Sequence, residues 1–469
     1  MPGKLKPYPG YSSCNLPWIK EIPSEWNLLK AKNVFDPIDI RSETGQEELL
    51  SVSEKHGVTP RKNVNVTMFK AESYEGYKMC WPGDLVINSL WAWMQGLGFS
   101  RHHGIISSAY GVYRLKSGLS SDFKFFDYLL KSNAYLWELR VNSKGIWRSR
   151  YQLTDESFFS IPIIIPPEKD RKQIICYLDW KTSQINRFIK AKKRLIELLK
   201  EQKQVIINDA VTGKIDVRTG KPYPKYKDSG VEWLGKVPEE WIVYPLKSIS
   251  KSNLETLTEK TDPSFTFKYI EINNVKAGYL IGEPDTYMFK DAPSRARRKI
   301  HNGDTIISTV RTYLRSVYFF EKLSDNEVIV STGFSVLTPM SQIMPKYLGY
   351  LIQSDLFINR VIQNSVGVSY PAIADSKLAC IKIAIPSINE QNEIIKHIEN
   401  KSKSIDFSID LFMKEISLLV DYRTRLISDV VTGKVDVRNI NINAKDASDA
   451  MDEGVEEEAE INEIPESET

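Results

Sequence analysis

The sequence predicts an α+β chain with an internal pseudo-two-fold repeat: two globular units, separated and followed by two long helices packed side by side. Three observations predict it. Residues 166–218 are written a second time as residues 386–438, a shift of 220. The tails match best, Asp209-Ala210-Val211-Thr212-Gly213-Lys214-Ile215-Asp216-Val217-Arg218 against Asp429-Val430-Val431-Thr432-Gly433-Lys434-Val435-Asp436-Val437-Arg438. Both copies space their apolar residues by heptads, and short β-rich landmarks ahead of each copy recur at nearly the same shift. A repeat on this scale decides the architecture before any local reading does.

In the first long helix, Leu178, Ile185, Leu199 and Ile206 form one seam and Ile175, Ile189 and Ile196 a second, with Lys192 and Lys203 interrupting. The second helix has Ile398, Ile405, Phe412, Leu419 and Leu426, with Ile395, Ile409 and Ile416 on its other seam. Two seams at this spacing are the pattern of a coiled coil. Pro166-Pro167 and Pro386 end the preceding strand. Glu168, Asp170, Glu390 and Glu393 then place negative charge at the helix N-termini, where the dipole favours it. Gly213 and Gly433 fall where a helix would stop. About forty residues at ~1.5 Å each make a rod on the order of 60 Å long. The Thr-Gly-Lys of each tail is not a phosphate-binding P-loop, which needs a glycine where Asn208 and Ser428 stand.

The globular units precede the helices. Residues 1–165 form the first and residues 219–385 the second, with its linker; residues 166–218 and 386–438 are the helices and their tails, and residues 439–469 an acidic, disordered tail. Each globular unit opens on two tryptophans around a proline: Trp18 and Trp26, echoed at a shift of 215 by Trp233 and Trp241. They read as a strap pinning the start of a domain, its tryptophans packed in the core. Gly83-Asp84-Leu85-Val86-Ile87-Asn88 is a turn and strand, matched by Gly303-Asp304-Thr305-Ile306-Ile307-Ser308. Asp84 and Asp304 read as turn residues, not metal ligands. Ile105-Ile106-Ser107 matches Ile329-Val330-Ser331 at a shift of 224, so the loop before it differs in length. Helical stretches follow over residues 123–138 and 345–361. Apolar runs at 161–165 and 381–385 lead into the long helices. The basic, Pro/Gly-rich residues 219–227 read as a tether or a phosphate contact.

A chain of 469 residues with 42% apolar and 26% charged content has ample core for two to four domains. No segment has the ~18 uncharged apolar residues of a membrane span, and Met1-Pro2-Gly3-Lys4-Leu5-Lys6 lacks a signal core. Cys14, Cys80, Cys176 and Cys380 are scattered, which fits a reducing cytoplasm and argues against a zinc ribbon. Between Asp446 and Thr469 there are eleven acidic residues and no basic ones, so the whole-chain charge of +3 leaves +14 on the rest. A basic body points to a polyanionic partner. The acidic tail is a solubilising end or a competitor for that basic surface.

No HExxH, Walker A, GxSxG or amino-methyltransferase Asn-Pro-Pro-aromatic motif is present, and Gly96-Leu97-Gly98 is a lone GxG. The loops are instead basic and aromatic. The first unit offers Trp91, Trp93, Gln95, Arg101, His102, Lys144, Trp147, Arg148 and Arg150. The second offers Arg295, Arg297, Arg298, Lys299, Arg311, Tyr313, Arg315 and Tyr370. Arginine reads guanine bidentately in the major groove, Gln and Asn read adenine, and Lys or Arg also hold phosphates without reading sequence.

These residues and the repeated frame resemble the specificity subunits of type I restriction–modification systems over nearly the whole chain up to about Arg438. The marks are Ile-Pro-Pro-Glu-Lys-Asp-Arg-Lys-Gln-Ile-Ile at 165–175 and Ile-Pro-Ser-Ile-Asn-Glu-Gln-Asn-Glu-Ile-Ile at 385–395. The doubled Val-Thr-Gly-Lys-Ile/Val-Asp-Val-Arg and the Tyr-Lys-Asp-Ser-Gly-Val-Glu-Trp-Leu-Gly-Lys-Val-Pro-Glu-Glu-Trp of 226–241 are two more. The first copy departs at Tyr11-Ser12-Ser13-Cys14-Asn15-Leu16-Pro17-Trp18, and carries Asp170-Arg171 where the second has Glu390-Gln391.

The resemblance implies two target-recognition domains at opposite ends of an antiparallel coiled coil, their separation setting the gap between two half-sites of a bipartite, asymmetric double-stranded DNA sequence. It implies a non-catalytic chain that binds no cofactor or metal itself. Two adenine methyltransferase subunits would carry S-adenosylmethionine, and motor-endonuclease subunits ATP and Mg. The helical rod and Thr212, Gly213, Lys214, Thr432, Gly433 and Lys434 are the expected methyltransferase-docking surface. Two rivals are a fused enzyme with its own catalysis, which the missing motifs oppose, and a non-DNA coiled-coil scaffold with two binding modules, which the +14 body opposes.

Overall fold

A computed structural model of the chain describes residues 6–14, 16–54, 56–63, 73–145, 151–321 and 327–442. The chain forms two compact units, Met1–Lys192 with Met413–Thr469, and Lys193–Phe412. The division falls inside both long helices. Each unit therefore holds one globular domain, the first part of one long helix and the last part of the other.

In unit 1, an antiparallel four-stranded sheet runs in the order Phe35–Pro37, Gly111–Leu115, Asp84–Ile87, Leu97–Phe99. Helices α1 (Phe123–Leu130), α2 (Asn133–Asn142) and α3 (Asp155–Ser160) follow. The single helical stretch expected over 123–138 is broken at Ser132, whose hydroxyl donates to the Leu129 carbonyl. A local side-chain bond of this kind competes with helix continuation. Strand Pro162–Ile165 pairs with Asn27–Lys30 of the strap and feeds α4 (Glu168–Val211). Phe125, Phe126, Tyr135, Ile163 and Leu178 share one core with Leu426 and Val430 of the last long helix.

Unit 2 repeats this plan. Its sheet runs Ser250–Ser252, Phe334–Pro339, Thr305–Ser308, Val317–Phe319. A second sheet of four strands, one pair of them parallel, carries Thr266–Ile270 and Val328–Ser331. The helices are α5 (Pro345–Gln353), α6 (Asp355–Gln363), α7 (Asp375–Ala379) and α8 (Ile388–Val431). The stretch expected over 345–361 breaks at Ser354, which caps α6 by accepting from the Phe357 amide. Asp84 and Asp304 are turn residues as expected, accepting from the Trp81 and His301 amides.

Within each unit the two long helices lie antiparallel. In unit 1, Asn186 meets Arg423 and Lys192 meets Glu415 at 2.8 Å. In unit 2, Lys203 meets Asp406 at 2.7 Å. The two lysines that interrupt the apolar seams are thus the cross-helix ion pairs. Leu178, Ile185, Ile189, Ile196, Ile398, Ile405 and Leu426 are buried as the seams require.

The repeated ends of the helices bind the straps. Trp26 Nε1 donates to Asp170, and Trp241 Nε1 to Glu390. The strap also reaches the end of the other helix. Tyr11 donates to the Gly433 carbonyl and Tyr226 to that of Gly213. Gly213 and Gly433 have φ of 72° and 78°, the left-handed conformation that ends a helix. A Cβ at Gly213 would stand 2.6 Å from Pro238, and one at Gly433 2.4 Å from Pro23, so a side chain has no room there. Asp216 and Asp436 close the tails by gripping Arg218 and Arg438 through both carboxylate oxygens. The Arg218 hydrogen bonds hold Asp216 below the usual carboxylate range.

The two departures in the first copy keep the same jobs with different groups. Arg171 is buried against Asp122, just before α1, and donates to the Pro166 carbonyl. Gln391 donates to Pro386 and accepts from the Met344 amide, just before α5. Glu390 accepts from Tyr223 at 2.5 Å as well as from Trp241. Burial and that carboxylate push the Tyr223 phenol far above its usual range, so it stays a donor. Asp170 is one methylene shorter, and the buried hydroxyl of Tyr8, the residue matching Tyr223, has no hydrogen-bond partner among the described residues. Asp170→Glu should supply that acceptor and stabilise the chain by about 0.5–1.5 kcal/mol in urea unfolding. Unchanged or lower stability would contradict this account of the strap.

Candidate DNA interface

The basic and aromatic loops converge on one turn in each unit. After strand Asp84–Ile87 the chain makes a 3-10 turn, Ala92–Met94, and returns as Leu97–Phe99. After Thr305–Ser308 it makes the 3-10 turn Thr312–Leu314 and returns as Val317–Phe319. The hydrogen bonds coincide at a shift of 220. Asn88 N donates to Gly96 O and Ser308 N to Ser316 O; Leu153 N donates to Ser89 O and Ile373 N to Thr309 O. Trp91, Trp93 and Gln95 therefore occupy the positions of Arg311, Tyr313 and Arg315.

A second loop supports each turn. Lys144 and Gln152 bridge in unit 1, and Val366 and Ala372 in unit 2, where the bridged loop is shorter and Ala372 also bridges Val310. Among the described residues, the non-glycine residues with positive φ are Gln95, Asn253, Arg311 and Arg315. Three of the four lie on these turns. Backbone held in that region is characteristic of functional sites, where the surroundings over-determine it.

The structure sorts the candidate residues into anchors and presented groups. Gln95 is an anchor: its amide donates to the carbonyl of Lys131, at the junction of α1 and α2. Arg315 is its counterpart, paired with Asp355 at the start of α6. Arg298 is held by the Phe334 carbonyl and Asp375, and Arg297 lies over the Phe289 ring beside Glu259. Lys299 pairs with Glu255. Trp91 and Trp93 are presented as a stacked pair with ring centres 6.1 Å apart, and Tyr151 packs edge-on to Trp93. Arg311 lies over the Tyr370 ring, and Tyr313 and Tyr370 are 51% and 64% exposed. Arg101, His102 and Lys144 sit in loops beside the same sheet, Arg101 and Lys144 exposed. Trp147, Arg148 and Arg150 lie outside the described residues.

Exposed apolar groups on the same loops, Leu90, Met94, Leu314, Val366 and Val368, were not singled out from sequence. The signal for them is the register itself. Carried past Asn88 and Ser308, the shift of 220 aligns the whole of 84–100 with 304–320.

The tail residues have structural partners. The hydroxyls of Thr212 and Thr432 donate back to the carbonyls of Asn208 and Ser428, and Gly213 and Gly433 seat the straps. Of each Thr-Gly-Lys, the lysine is the exposed member, with Lys214 beside Asp209 and Lys434 beside Asp429. No group of three or more metal-ligating side chains occurs among the described residues. No helix among them is long and apolar enough to cross a membrane.

Comparison with known proteins agrees with this frame. The family described as type I restriction modification DNA specificity domain matches residues 238–408. The type I restriction enzyme MjaVIII specificity subunit of Methanocaldococcus jannaschii is 23% identical over 345 residues, 72% of this chain and 76% of that one. The EcoBI specificity subunit of Escherichia coli is 20% identical over 282 residues, 59% of this chain and 58% of that one. Among solved structures, a chain from work on complex assembly and conformational transition of the type I R-M system superposes with a TM-score of 0.58. It is 14% identical, with 88% of this chain and 99% of that chain covered, and so shares the fold. With the doubled frame, the matched domain and these relatives together, the chain carries a type I restriction modification DNA specificity domain and is similar along its length to the specificity subunits of type I restriction–modification systems.

Proposed function

We propose that each unit reads one half of a bipartite, asymmetric double-stranded DNA sequence through its paired-loop turn, and that the chain directs partner subunits to that sequence. One observation carries the reading: a 3-10 turn at the same place in the frame, anchored at the same helix junction, presents Trp91 and Trp93 in one unit and Arg311 and Tyr313 in the other. A constant frame with different side chains at its tip is what two different half-sites require. The basic body supports it, because phosphate contacts supply the sequence-independent part of DNA affinity. The chain performs no chemistry itself. Adenine methyltransferase subunits would bring S-adenosylmethionine, and motor-endonuclease subunits ATP and Mg, to DNA in the cytoplasm.

The long helices supply a surface for the methyltransferases. Phe188, Leu418 and Tyr422 are exposed in unit 1, and Leu198, Phe407 and Leu411 in unit 2. Exposed apolar side chains grouped on a helix mark interaction surfaces. Lys214 and Lys434 stand at the ends of the same helices, and Thr212, Gly213, Thr432 and Gly433 hold those ends in shape.

Co-expression with the cognate methyltransferase, followed by sequencing of host DNA for N6-methyladenine, should reveal two short blocks separated by a fixed non-specific gap. A soluble, co-purified complex that adds no methylation would favour the scaffold reading instead. Phe407→Asp with Leu411→Asp, or Lys214→Glu with Lys434→Glu, should weaken co-purification of the methyltransferase at least several-fold. Unchanged co-purification in both variants would remove the helices and their tails as the docking surface.

A further inference from the structure

We infer that Arg311 is a specificity-determining residue of unit 2 and that it reads a guanine in the major groove. The inference rests on the DNA-reading role proposed above and names the base recognised. The guanidinium carbon lies 4.9 Å from the centre of the Tyr370 ring. Three arginines of the same domain pair with carboxylates, Arg297 with Glu259, Arg298 with Asp375 and Arg315 with Asp355, while Arg295 is exposed. No carboxylate among the described residues pairs with Arg311. A guanidinium over an aromatic face can still donate from its N–H groups to a ligand.

The backbone points the same way. Arg311 has φ of 50°, whereas Trp91 at the matching position has φ of −122°. At this position the unusual conformation belongs to unit 2, whereas Gln95 and Arg315 share it at the next matched pair. It is held between the Val310–Ala372 bridge on one side and the Arg315–Asp355 pair on the other. A guanidinium carried on a turn braced at both ends suits a geometric task. Two parallel N–H donors match O6 and N7 of guanine; the same fork also fits a phosphate, and the base-pair and salt dependence separate the two. Trp91 offers no such fork, so the contact belongs to the half-site of unit 2.

The test uses the chain in complex with its methyltransferase. The methylated motif is sequenced first, and binding of the complex is then measured on duplexes carrying each single base-pair replacement. Arg311→Ala should remove roughly tenfold or more of the discrimination at one G·C pair, with the other half-site unchanged. Arg311→Lys should restore it only in part, because the ammonium lacks the planar fork. Tyr370→Phe should retain it and Tyr370→Ala lose it. Retained discrimination in Arg311→Ala overturns the inference. So does uniform weakening on all duplexes with a shallower salt dependence, which marks a phosphate contact. A motif in which neither half-site contains a G·C pair also overturns it. A wild-type complex with no sequence-specific methylation removes the DNA-reading role itself, a separate outcome that takes this inference with it.

Discussion

Everything in this chain depends on how a long helix begins and ends. Each begins with a buried acid, Asp170 or Glu390, that accepts from a strap tryptophan. Each ends at a left-handed glycine whose missing side chain leaves room for a strap proline, Pro238 at Gly213 and Pro23 at Gly433. Within a unit, one strap holds the start of one helix and the end of the other. That is possible only because the helices run antiparallel there. The conformational cost of ordering two 44-residue helices is offset chiefly by packing, not by helix propensity, and the straps are where the domain core joins that packing.

The paired-loop turns are set on this frame by a second pair of anchors. Gln95 and Arg315 differ in charge and reach, yet both tie their turn to the corner between two short helices. Their side chains are spent on position. What differs at the tip is then free to differ: a stacked tryptophan pair in unit 1, an arginine over a tyrosine in unit 2. Separating anchor from tip lets a specificity change without a change of fold.

Much of this was legible in the sequence because the chain carries its own comparison. The duplication exposed the helices, the seams and the straps, and the heptads held because burial enforces them at Leu178, Ile185, Ile398 and Ile405. Lys192 and Lys203 read as interruptions, since their partners Glu415 and Asp406 lie more than 200 residues away. The helix breaks at Ser132 and Ser354 were missed because one serine hydrogen bond decides each. The tail Thr-Gly-Lys looked like a docking motif, yet its threonine and glycine have local structural partners. The candidate list for DNA mixed anchors such as Arg298 and Arg315 with presented groups such as Arg311. Composition cannot separate them, because a carboxylate neighbour is a fact of tertiary structure.

If the two units are one frame carrying different tips, exchanging the tips should exchange the half-sites. The most direct measurement is a graft that replaces residues 88–96 and 143–153 of unit 1 with residues 308–316 and 365–373 of unit 2, followed by sequencing of the motif methylated by the assembled complex. The first half-site should be exchanged for a copy of the second, with the gap between them unchanged. A grafted chain that assembles normally and still directs methylation to the original first half-site would contradict it.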